Sequence, residues 1–197
     1  MPGGFGTPAF GAEHRVIRVS SGLLILESTG SSATTRSIAI HGSSLAELAA
    51  FANVDLDVPF DVGTDTPEIG DVNARLTFDG GYAVALGEWW GCGLQALDAV
   101  LDDLPAASAP GRARVWPEHF DLGIDVGTAD GTRVNLGASA GDEFSDECYL
   151  YVSPWGTARP GETSYWNAPF GAALGRSRVP GPTEAAAFFR AGLARFS

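Results

Sequence analysis

In the C-terminal half of the chain, chemistry-bearing residues recur at even spacings of two or four. His119 and Asp121 stand in PEHFDLGIDVG, Asn135 and Ser139 in RVNLGAS, and Tyr149 and Tyr151 in ECYLYVSPW. In an extended strand that spacing puts each pair on one face. A carboxylate beside an imidazole fixes its tautomer and lifts its pKa toward neutrality, which suits general acid/base work. Aromatic residues at Tyr149, Tyr151, Trp155, Tyr165 and Trp166 would wall a site for a cyclic or apolar small molecule. The expectation is a small-molecule pocket with His119 and Asp121 as the catalytic pair and Asn135, Ser139, Tyr149, Tyr151, Trp155 and Trp166 as binding residues. The competing expectation is a non-catalytic binding or protein-interaction domain whose polar face is a half-buried structural layer, with the hydroxyls and His119 satisfying one another.

Other chemistries fit less well. His119 and Asp121 with Asp142, Glu143 or Glu147 would offer one nitrogen and two or three oxygens to iron, manganese or zinc, but a facial triad would need His14 or His41 as well. No metal is assigned, and the cofactor stays open. Gly137-Ala138-Ser139-Ala140-Gly141 has the form of a hydrolase nucleophile elbow, yet the following Asp142-Glu143-Phe144-Ser145-Asp146 reads as an acidic loop rather than the helix an elbow requires. It reads better as a glycine-rich strand end packed tightly against backbone. Asp55, Asp57 and Asp61 lack the glycine turn and terminal Glu of a calcium loop. Cys92 and Cys148 are in no metal-type spacing and read as buried thiols.

The elements that must position these residues follow from periodicity. Residues 117–127 alternate, with Phe120, Leu122, Ile124 and Val126 on one side; residues 133–139 do the same with Val134, Leu136 and Ala138. A two-residue Asp130-Gly131 turn would set Ile124 against Gly137 and split the apolar sets between faces. A three-residue loop, Ala129-Asp130-Gly131 with Gly131 left-handed, pairs Ile124 with Leu136, Val126 with Val134 and Leu122 with Ala138. That register sets Asp121 opposite Ser139 and Asp125 opposite Asn135. A third strand over 147–155 adds Tyr149, Tyr151 and Ser153 to the polar face.

Upstream, residues 15–19, 23–27 and 36–41 read as an antiparallel meander. Ser44-Leu45-Ala46-Glu47 forms a capping box opening a short helix to about Ala52. Residues 54–62 alternate apolar and acidic and read as an edge strand blunted by Pro59. Residues 83–104 read as the long core helix, with Leu86, Trp90, Leu94, Leu97, Leu101 and Leu104 on one face. Gly87, Gly91 and Gly93 within it imply a neighbour's close approach or a kink. From Pro182 a capped amphipathic helix carrying Phe188, Phe189, Leu193 and Phe196 closes the core, and is the candidate face for a homodimer. Together these give an α+β fold: antiparallel sheet on one long central helix and a C-terminal helix. Residues 1–13 read as a flexible arm and 14–197 as a single domain, or two pseudo-repeated halves split near 105–112.

The strings VWPEHFDLGIDV, VNLGASAGDE, YLYVSPW and YWNAPFGAAL, with EWWGCGLQALDAVLDDL upstream, resemble an uncharacterised family of bacterial proteins frequent in actinobacteria. The resemblance covers roughly residues 83–175. It implies a fold relationship and a site neighbourhood, and no activity, cofactor or catalytic residue.

Composition narrows the partners. The 197 residues are 45% apolar, and 12 basic residues, all Arg, face 24 acidic ones for a formal charge of −12. That balance argues against nucleic acid and anionic membranes as partners. No apolar run reaches a membrane span and the first residues lack the pattern of a signal peptide, so a cytoplasmic location is expected.

Overall fold

The computed structural model describes residues 4–30, 33–59, 61–63 and 68–196, and the chain divides between Glu88 and Trp89 into two units. The fold is α+β, with two antiparallel sheets, a long helix and a C-terminal helix.

In the first unit the meander is present as β2 (Arg15–Ser20), β3 (Leu23–Ser28) and β4 (Thr34–Ala39), extended by β1 (Gly4–Gly6) in the order β1-β2-β3-β4. Ser21 and Gly22, both at positive φ, make the tight turn that suits the right-handed twist of β2 and β3. β1 falls in the segment expected as an arm. Its packing depends on a distant glycine: a Cβ on Gly87 would stand 2.6 Å from the Gly4 carbonyl oxygen, so the helix meets β1 at backbone distance.

The capping box is present in α1 (Leu45–Ala52), where Ser44 Oγ accepts from Glu47 N–H and the Glu47 carboxylate accepts from Ser44 N–H. Asn53 ends the helix in the left-handed conformation. The hydrogen bond from Arg75 holds the Glu47 carboxyl below its ordinary pKa.

The edge strand expected over 54–62 is not formed by the described residues there; Phe60 lies outside them. Asp55 and Asp61 instead accept from the backbone N–H groups of Asp57 and Gly63, closing local Asx turns. Val54, Leu56 and Val58 are exposed. Alternation that buries nothing does not hold a strand.

The long helix α2 (Gly80–Leu101) starts earlier than expected, with Asp79 Oδ1 accepting from Gly81 N–H. From Trp89 onward it belongs to the second unit, where Trp89, Gly93, Ala96, Leu97 and Val100 are buried and Leu94 is exposed. A Cβ on Gly93 would sit 2.8 Å from the Ala138 methyl. The helix therefore turns its small residues to the sheet, and Leu94 rotates away. Gly91 meets nothing within 4 Å.

The second sheet runs β5 (Arg114–Trp116), β6 (Asp121–Gly127), β7 (Arg133–Ser139), β8 (Tyr149–Pro154), β9 (Ala172–Gly175), in that spatial order. The β6/β7 register is the one derived from the turn: Leu122 with Ala138, Ile124 with Leu136, Val126 with Val134. Thr128 N–H donates to Thr132 O across the three-residue loop, and Gly131 has φ +84°. Ile124, Val126, Val134, Leu136, Leu150 and Val152 are buried on the helix side.

The C-terminal helix α3 (Pro182–Leu193) begins at Gly181 with no side-chain cap; Pro182 in its first turn supplies the pre-set φ instead. Phe189 is fully buried, and Arg190 ties α3 to Asp103 and to the Ala99 carbonyl.

Candidate functional site

The opposite face of the second sheet carries the polar set, and two glycines decide how it is filled. Gly123, Gly137 and Tyr151 are successive cross-strand partners on β6, β7 and β8. A Cβ on Gly123 would stand 2.7 Å from Tyr151 Oη, and one on Gly137 would overlap the end of the same ring and the Leu122 carbonyl. The Tyr151 ring therefore lies across the sheet over both glycines. Its hydroxyl reaches Asp121 and donates a short hydrogen bond to Oδ2.

Asp121 is 6% exposed. Burial pushes its carboxyl above the ordinary value, against the hydrogen bond from Tyr151 and the favourable charge of His119, both of which pull it down. The Tyr151 hydroxyl is pushed well above its usual range, first by burial and then by the Asp121 charge. The two groups share one hydrogen bond in a desolvated place.

A second tyrosine–carboxylate pair lies alongside. Tyr149, 4% exposed, donates from its hydroxyl to Asp142 Oδ2 at 2.7 Å. Burial and the hydrogen bond to Asp142 raise its pKa. Asp142 Oδ1 accepts from the N–H groups of Phe144 and Ser145, so the acidic turn is held by its own first residue. Phe170 stacks on Tyr149 with ring centroids 6.0 Å apart, meets Phe144 edge-on, and lies edge-on to Tyr151. These rings cover the tyrosine pairs.

His119 is not on β6. It occupies the turn before it, exposed, and Phe120 between His119 and Asp121 has φ +50°. A bulky residue in the left-handed region is strained, and strain of this kind gathers at functional sites. Phe120 packs edge-on to Trp90 at 5.0 Å, which helps hold the turn.

Ser139 is 3% exposed; its Oγ accepts from Gly141 N–H and its carbonyl accepts from the Trp89 indole. β7 runs into the Asp142–Ser145 bridge and not into a helix, so the elbow reading has no geometry behind it. Gly141, at φ +98°, makes that turn. Glu147 is occupied elsewhere, accepting a short bond from Ser177 N–H. His41 Nδ1 accepts from Phe78 N–H in the first unit. Among the described residues no group of three or more His, Cys, Asp or Glu is placed to hold a metal ion.

The residues expected in one pocket fall into three places. His119, Asp121, Ser139, Tyr149 and Tyr151 gather at one end of the face. Asn135 and Trp155 sit at the other, where the Trp155 indole donates to Asn135 Oδ1 at 2.7 Å. Trp166 lies apart: its indole donates to Pro160 O, its ring meets Tyr165 and Phe196, and the Arg159 guanidinium lies over it. Tyr165 donates to Phe188 O on α3, and its hydroxyl is pushed up to about 12 by burial. That cluster packs the C-terminal segment.

Phe170 and Asn167 are the residues that sequence reasoning missed. Asn167 brackets Ala173, accepting from its N–H and donating to its carbonyl, which aligns 167–173 beside β9. The signal was Asn-Ala-Pro-Phe-Gly, a turn string ahead of the short β9, with Gly171 against the Val152 carbonyl. Among the described residues no helix is long and apolar enough to cross a membrane. Comparison with family models, curated proteins and solved structures returns no match, so none of them bears on the bacterial-family resemblance.

Proposed function

We propose that the protein binds a small molecule at the Asp121 end of the polar face, with His119 as the solvent-facing acid/base group and Asp121 as the buried carboxyl behind it. One observation carries the reading: a carboxyl 6% exposed, engaged by Tyr151, stands two residues from an exposed imidazole across a strained Phe120. An exposed imidazole reaches a ligand, while the buried carboxyl, its pKa raised by burial, stands behind it. The chemistry this suits is proton transfer to or from a small molecule, as in isomerisation, cyclisation or hydrolysis. A formal charge of −12 favours a neutral or cationic ligand over a polyanion.

The test is native mass spectrometry of the untagged protein as purified, set against its denatured mass. A bound species that disappears in His119→Ala, with the melting temperature unchanged, supports the reading. A clean unliganded mass, or a species retained in His119→Ala, overturns it and favours the second reading. That second reading is a non-catalytic binding or interaction domain, and the observation favouring it is that both tyrosine hydroxyls end on carboxylates beneath Phe170. Under it, Asp121 and Tyr151 carry stability.

A further inference from the structure

Trp155 is 65% exposed, yet its ring is fixed. The backbone N–H donates to Arg133 O at 2.9 Å and the indole Nε1–H to Asn135 Oδ1 at 2.7 Å, while the Arg133 guanidinium lies 5.7 Å from the ring centroid. Arg133 is itself held, donating from Nε and an Nη to Asp125 Oδ2 and from an Nη to Ala109 O. Folding gains little from a tryptophan left largely in water, and fixing it costs rotamer entropy. A rigid, open indole face is what a ligand stacks on at low entropic cost.

The surrounding chemistry selects the ligand. Asp125 pairs with Arg133, so the cation beside the ring is neutralised. The indole is a donor only, so the Asn135 oxygen must face it, and the Nδ2 donors have no protein partner among the described residues. The indole N–H is spent inward and is not offered to the carbonyl of a polyproline peptide. A neutral ring with an apolar C–H face and hydroxyl acceptors at its edge matches what remains. Asn135 and Ser139 are four residues apart on β7, about 13 Å along a strand, so this place is separate from the acid/base site.

We infer that Trp155 is a stacking platform for a neutral pyranose ring, with the Asn135 amide donating to its hydroxyls. The test follows the tryptophan indole N–H resonances of the 15N-labelled full chain during titration with methyl β-glucopyranoside or methyl β-galactopyranoside to about 100 mM, against a pentaproline peptide. The Trp155 resonance is expected to shift saturably with at least one glycoside while that of the buried Trp89 stays still. Read on the backbone amides of β7 and the Asn135 side-chain amide, which all the variants but Asn135→Ala keep in full, Trp155→Ala should abolish binding with the fold intact, and Trp155→Phe, which keeps a flat ring, should weaken it several-fold. Asn135→Ala should weaken it by about tenfold. No shift with either glycoside, a glycoside response unaltered in both Trp155 variants, or saturation by the peptide alone overturns the inference.

Discussion

The two ends of one sheet face solve the same problem in opposite ways. At the Asp121 end Asp121, Ser139 and Tyr149 are buried, the two tyrosine hydroxyls are bonded to carboxylates, and Phe170 packs on both rings. At the Trp155 end the bond from Trp155 to Asn135 stands in solvent on a residue 65% exposed, above a half-buried pair of Arg133 with Asp125. Residue types barely distinguish the ends, since each has a carboxylate and aromatic rings. What differs is the centre of the face: the two glycines lay Tyr151 flat toward Asp121. Buried hydrogen bonds are costly to leave half made, and exposed ones are cheap. The Asp121 end should therefore dominate stability, and the Trp155 end should barely register.

The largest effect is expected at the centre. Gly137→Ala places a methyl inside Tyr151 and against the Leu122 carbonyl, and backbone cannot yield as a flexible side chain can. Loss of about 3 kcal/mol in urea unfolding is expected, with Gly123→Ala, whose nearest neighbour is the movable hydroxyl, costing less. Equal, small costs at both glycines would mean that Tyr151 does not lie across the sheet.

Next comes Asp121. Asp121→Ala leaves the buried Tyr151 hydroxyl without its acceptor and should cost about 2 kcal/mol. Asp121→Asn keeps an acceptor and removes the charge, so it isolates the pH dependence. The folded carboxyl holds its proton more tightly than the unfolded one, because burial raises its pKa. Its contribution is thus full below the ordinary aspartate value and lost as pH rises through the raised one. Glu47 and Asp130, whose pKa values are lowered, act in the opposite sense in both proteins and cancel in the difference. Wild type should gain stability relative to Asp121→Asn as pH falls through that window. A flat difference from neutrality to the ordinary aspartate range would remove the case for a proton held at Asp121.

The parts of this that were legible in sequence share a physical feature: they are local or periodic. The Ala129-Asp130-Gly131 loop fixed the β6/β7 register because only one turn kept both apolar sets on one face. Ser44 and Glu47 marked α1 because capping is settled within one turn. Gly87 and Gly93 signalled close approach, though not which atoms would come near. Where the pattern misled, no partner was encoded locally. The alternation over 54–62 has the period of a strand, but among the described residues there none pairs in a sheet, while β1 meets Gly87 far along the chain and β9 pairs with β8. The site was legible as a face and not as an arrangement. Spacing put His119 and Asp121 on one side of a strand, but the turn at Phe120 takes His119 off it, and nothing in a period of two could say that Tyr151 would lie down over glycine.

The smallest effect is expected at the exposed end. Asn135→Ala removes the acceptor of the Trp155 indole, but both residues border water, which replaces the lost bond. Stability should change by less than about 0.5 kcal/mol. The ring, by contrast, should gain freedom, since the Arg133 contact alone does not fix its rotation. Relaxation of the Trp155 indole 15N should show an order parameter falling below that of Trp89, which keeps its bond to Ser139 O. A stability cost as large as that of Asp121→Ala would erase the contrast between the two ends. An unchanged order parameter would mean that packing, and not the Asn135 amide, holds the platform in place.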